Sequence, residues 1–143
     1  MPDDLRVARL TRFFETLTPE SLERIGTVYA DDAWFKDPFN EVRGRSAVER
    51  IFRHMFGQVA DPRFVVTQAL ASGDDAFLTW DFRFRMRPRD VREQLIRGAS
   101  HIQFAQDGRV LYHRDYWDAA EELYEKLPLL GGLMRFLKRR VAR

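Results

Sequence analysis

From residue 63 the chain changes rhythm, and apolar and polar side chains alternate with a period of two through four successive stretches. They read RFVVTQALA (63–71), AFLTWDFRFRMR (76–87), REQLIRGASHIQFA (92–105) and RVLYHRDYW (109–117). Between them lie SGDD, PRD and QDG, each with turn-forming chemistry. Connections this short favour an antiparallel meander.

The first half carries helical spacing. Leu5, Ala8, Leu10, Phe13, Phe14 and Leu17 make a stripe over residues 3–17, and Asp3 and Asp4 suit the positive end of that helix. TPESLERIGTVYA restarts a helix with Thr18 as N-cap and Pro19 in its first position, burying Leu22, Ile25, Val28 and Tyr29. AWFKDP reads as a short strand, ended by the restricted residue before Pro38. SAVE pairs Ser46 with Glu49 as a capping box for a helix with Val48, Ile51, Phe52, Met55 and Phe56 inward. A last helix starts near Asp118, breaks around residues 128–132 and resumes to the end. The expected class is α+β, with helices gathered on one face of a curved sheet.

At 143 residues one domain with a real core is expected. Without cysteine there is neither a disulfide framework nor a thiolate metal site. No apolar run approaches a membrane span and no leader pattern precedes the first helix, so a cytoplasmic protein is expected. The formal charge is +2, but five of the 24 basic groups crowd into RFLKRRVAR (135–143), leaving 19 against 22 acidic groups elsewhere. Nucleic-acid binders spread basic charge over a face, so no nucleic-acid partner is expected. Residues 128–143 form a basic amphipathic helix, read as packing on the domain or a partner in preference to lying on a membrane surface.

The element order, with YADDAWFKDPFNEVRGRSAVERIF and GRVLYHRDYWD, resembles the nuclear transport factor 2-like superfamily. Within it the likeness is to ketosteroid isomerases, limonene epoxide hydrolases and SnoaL-like polyketide cyclases. The resemblance implies a cone-shaped curved antiparallel sheet wrapped around N-terminal helices and enclosing an apolar pocket. It also implies that Asp37 matches the isomerase general base, while Phe13 and Ser100 stand where that enzyme needs a tyrosine and a protonated aspartate. Steroid isomerisation is therefore not expected. Asp115 matches one aspartate of the epoxide hydrolases' water-activating Asp-Arg-Asp set; at the place of the other two this chain reads Asp81-Phe82-Arg83, the charges reversed.

By the same analogy Asp37, Thr79, Asp81, Arg83, Ser100, Ile102, His113, Asp115 and Trp117 point into the cone. Alternation alone reads the strand of residue 81 the other way, with Trp80, Phe82, Phe84 and Met86 inside. If the charges face in, the aromatic row lies outside and needs a homodimer to cover it, with Phe82 or Phe84 central. Asp37 reads either as a pocket base or as a turn aspartate capping amides before Pro38. His113 and Asp115, two apart on one strand face, can form an oriented acid–base pair. With histidine only at 54, 101 and 113, no metal is expected, and no phosphate loop or cofactor motif occurs.

Two functions follow as expectations. One is an isomerase, hydrolase or cyclase acting on a hydrophobic small molecule, with Asp37 or Asp115 as base, His113 as proton donor or orienter, and Phe13, Phe35 and Trp117 forming the pocket. The other is a non-catalytic module that binds an apolar ligand.

Overall fold

The computed structural model describes residues 4–122 and 139–141. Chain order is α1 (Leu5–Glu15), a 3-10 segment (Ser21–Thr27), β1 (Tyr29–Lys36), β2 (Glu41–Arg43), α2 (Arg45–Gln58), β3 (Ala60–Ser72), β4 (Asp75–Arg85), β5 (Gln94–Phe104), β6 (Val110–Tyr116) and the short α3 (Ala119–Glu122). One six-stranded sheet runs β2-β1-β6-β5-β4-β3. The meander of β3 to β6 is antiparallel throughout. β1 joins it beside β6 in parallel, which short-range pattern does not reveal. The expected α+β arrangement, a curved open sheet with helices against it, is the fold of this chain.

Local chemistry explains most boundaries. Asp4 caps α1 by accepting from the Arg6 amide, and the Arg6 guanidinium holds its carboxyl down to about 2. Thr18 and Ser21 exchange backbone-to-hydroxyl hydrogen bonds of 2.9 and 3.0 Å. The turn they start is 3-10 and ends at Thr27, so Tyr29 opens β1 and does not continue a helix face. The capping box at Ser46 and Glu49 does not form. α2 begins at Arg45 behind Gly44, whose φ of 101° suits a residue without Cβ, and Glu49 pairs with Arg53 instead.

Helices α1 and α2 cover the concave face, where Val7, Leu10, Phe13, Phe14, Val48 and Phe52 meet Phe35, Leu78, Trp80, Ile102 and Val110. A bulge at Thr67, between the pairs Val66–Trp80 and Gln68–Thr79, bends β3 and puts Thr67 and Gln68 side by side on the outer face. The phase of β4 is set by Ala76, Leu78, Trp80 and Phe84, all buried on the concave side. Turning that row outward would forfeit roughly 1.5–3 kcal/mol for each large side chain. Thr79, Asp81 and Arg83 consequently face out, and the expectation that they enter the cone is corrected. Arg83 pairs with Glu93 at 3.4 Å and lies 3.9 Å from Asp81; Arg85 pairs with Asp61 at 2.7 Å.

The described part of the basic tail is residues 139–141, so the expected helix over 128–143 lies almost wholly outside the described residues. Among the described residues no helix is long and apolar enough to cross a membrane.

Candidate active site

A cavity of about 700 Å³ opens between α2 and the concave face of the sheet. Phe35, Phe52, Phe64, Trp80, Phe82, Phe84, Met86, Ile96 and Trp117 give it an apolar wall, and Asp37, Arg50, His54 and Asp115 bring charge or titratable groups to it. Strand alternation places Asp115 and Trp117 there from β6 and its continuation, with His113 on the same face one step deeper.

Asp115 is the polar centre of this wall. Its Oδ1 lies 2.6 Å from Nε2 of His113 and accepts from the Ser100 hydroxyl at 2.5 Å. The Trp80 indole N–H donates to Ser100 Oγ at 2.9 Å. Because an indole nitrogen only donates, the serine must accept there, and its own proton goes to the carboxylate. On the other side, Nδ1 of His113 is 2.7 Å from the Tyr29 hydroxyl. Burial, reinforced by the charge of Asp115, pushes the Tyr29 phenol well above its usual range, so it holds its proton and donates. A neutral imidazole protonated at Nε2 satisfies every member of the chain. Tyr29 donates to His113, His113 and Ser100 donate to Asp115, and Trp80 donates to Ser100.

The arrangement leaves one acceptor over. Asp115 Oδ2 takes no hydrogen bond among the described residues, and the residue borders the cavity. His113 is 2% exposed and enclosed by the rings of Phe14, Tyr29 and Phe35. Buried with both nitrogens engaged, it can orient and polarise Asp115 but does not line the main cavity.

The remaining expected residues divide. Phe35 and Trp117 line the cavity, as does Asp37. Asp37 also caps its turn, as the turn reading expects, Oδ1 accepting from the amides of Phe39 at 2.8 Å and Asn40 at 2.7 Å. Ser100 acts within the network and not as a cavity donor. Phe13 and Ile102 are core residues that do not border the cavity, and Asp81 and Arg83 are absent from its lining. Tyr29 and Trp80 were not expected as site groups. Trp80 shows only as an apolar member of an alternating strand, and nothing local in the sequence joins Tyr29 to His113. Among the described residues no group of three His, Asp or Glu is placed to hold a metal.

The outer face of the sheet carries a separate aromatic band. Trp34 stacks on Tyr112 at 4.8 Å, Tyr112 meets His101 at 5.1 Å, and His101 stacks on Phe77 at 4.6 Å, with Leu70 beside Phe77 in register. Phe77 is 49% and Leu70 69% exposed.

Comparison with solved structures places the fold among known ones. TsrD from Streptomyces laurentii superposes with a TM-score of 0.72 at 18% identity, over 90% of this chain and 98% of that one. An LEH-like epoxide hydrolase of M. tuberculosis gives 0.69 at 20% identity, over 99% and 98%. A hypothetical protein with a ketosteroid isomerase-like fold from Catenulispora acidiphila DSM 44928, solved with trimethylamine, gives 0.70 at 15% identity, over 86% and 91%. Identities this low show the shared fold alone. No curated protein matches the sequence. The SnoaL-like domain model matches residues 10–113, from the middle of α1 to the histidine that holds Asp115, and the chain belongs to that family.

Proposed function

We propose that this protein is an enzyme that holds a hydrophobic small molecule in the cavity and uses Asp115 as general base. The observation that carries the reading is the carboxylate itself, fixed through one oxygen by Ser100 and His113 with the other oxygen unoccupied in an apolar wall. A carboxylate is costly in such a wall unless it is held and used. Positioned so, it can take a proton from an acidic C–H or from water, the first step of an isomerisation, a cyclisation or the hydrolysis of an epoxide. His113 and Tyr29 act as positioning residues behind it. Steroid isomerisation is disfavoured, because Phe13 lacks a donor and the Ser100 proton is committed to Asp115.

A panel of apolar epoxides and enolisable ketones tests this. Turnover of one of them should fall about 10²–10⁴-fold in Asp115→Asn with the fold intact. Full activity in that variant rejects Asp115 as the base. The alternative, a binding module for an apolar ligand, is favoured by the apolar side chains that make up most of the cavity wall. Native mass spectrometry showing a retained ligand that the protein never transforms would establish it.

We infer in addition that the outer aromatic band is covered by a second copy of the chain, giving a homodimer. A largely aromatic strip across five strands, from Trp34 to Leu70, with Phe77 and Leu70 about half exposed or more, is more than a monomer usually leaves in water. Phe82 and Phe84 take no part, since both line the cavity.

A further inference from the structure

Arg50 and His54 stand four residues apart on α2, on one stripe of that helix, and both line the cavity that Asp115 borders. The other two arginines of α2 are neutralised: Arg45 by Asp31 at 2.6 Å and Arg53 by Glu49 at 3.0 Å. Arg50, the arginine turned to the cavity, has no carboxylate partner among the described residues, and neither has His54. Neither acid of the cavity wall pairs with them: Asp37 holds the Phe39 and Asn40 amides, and Asp115 is engaged through Oδ1 alone by Ser100 and His113. The cavity is thus asymmetric, with a cationic helix wall, a carboxylate on the sheet wall, and apolar surface over most of the rest.

Resting on the cavity's being the substrate site, we propose that the substrate is amphipathic, an apolar body bearing a carboxylate or phosphate that Arg50 and His54 hold. A guanidinium suits either group because it offers two parallel N–H donors to two anionic oxygens. Arg50 is exposed, so it stays hydrated until a ligand arrives and exacts no burial cost in the empty protein. About 700 Å³ accommodates a drug-sized molecule, enough for both parts. A purely apolar ligand would use the wall and ignore Arg50 and His54. An anionic one uses both, and its charge fixes which end reaches Asp115.

Decanoate, decyl phosphate and decanol are the probes, titrated by calorimetry or by the fluorescence of Trp80 and Trp117 in the cavity wall. The expected result is that one or both anions bind roughly tenfold more tightly than the alcohol, the tighter anion naming the group. Arg50→Gln should erase that preference and leave decanol unchanged. Equal affinities in the native protein, an equal loss for all three probes in Arg50→Gln, or no binding of any probe overturns the proposal. Asp115→Asn separates the two readings. It should keep the preference while losing turnover; if turnover persists there, the catalytic reading falls and the anion preference stands.

Discussion

The Tyr29 hydroxyl lies 2.7 Å from Nδ1 of His113, with the phenol at 0% and the imidazole at 2% exposure, so the imidazole is gripped on the side away from Asp115. Tyr29→Phe removes that grip without changing the ring packing. The loss of a buried hydrogen bond should cost about 1–3 kcal/mol in urea denaturation. Turnover should fall mainly in kcat, because a less fixed imidazole orients Asp115 less well while the cavity wall is unchanged. An unchanged kcat would mean that the tyrosine serves stability alone.

The same tyrosine sets an alkaline limit. Its folded pKa is raised above the unfolded value near 10, so the unfolded chain gives up the phenolic proton first as pH rises. Stability from this group is full below pH 10 and should decline above it. Denaturation midpoints of the native protein and of Tyr29→Phe, measured from pH 8 to 11, should show the decline in the former and a shallower one in the latter.

Gly98 seats the Trp80 indole. A Cβ there would lie 2.5 Å from Cζ2 of the indole and closer still to Cη2. Gly98→Ala should therefore push Trp80 off its place, loosen its bond to Ser100, and cost about 1–3 kcal/mol through overpacking. A shifted tryptophan emission together with reduced turnover is the expected signature. The milder Trp80→Phe, which keeps a ring but removes the N–H, should lower turnover with a smaller loss of stability.

The outer band and the inner row predict opposite results for two glutamate or aspartate substitutions. Phe77→Asp should give a folded monomer in sedimentation velocity, since the residue is half exposed on the outer face. Phe84→Glu should leave assembly alone and instead damage the cavity or unfold the chain, because a carboxylate there replaces a buried ring. A native protein that sediments as a monomer would dispose of the dimer altogether.

The strand half of the fold is legible because its period-two signal is local and its turns are short; the observed β3 to β6 differ from the reading only at their ends. The His113–Asp115 pair is legible for the same reason, as two residues two apart on one strand share a face. What pattern could not supply is contact between distant segments. The parallel pairing of β1 with β6 brings Tyr29 to His113, and cross-strand register brings Ser100 opposite Asp115. Family likeness misplaced Asp81 and Arg83, where plain alternation along β4 places them outside, as the structure does. Nothing in the sequence marks Arg50, because a helix with arginines on several faces reads as an ordinary solvated one. Only the pairing of Arg45 and Arg53 sets Arg50 apart.

Tyr29 and His113 are separated by 84 positions along the chain, and the strand that carries the histidine is the last of the sheet to leave the ribosome. Neighbouring hairpins of the meander close small loops, whereas β1 must wait for β6 across nearly the whole domain before its parallel edge is paired. Until then His113 and Asp115 do not exist in the nascent chain, and Tyr29 has no imidazole to meet. Chemistry thus comes last in the birth of this molecule, and a polypeptide halted anywhere before residue 113 lacks the histidine that orients its base.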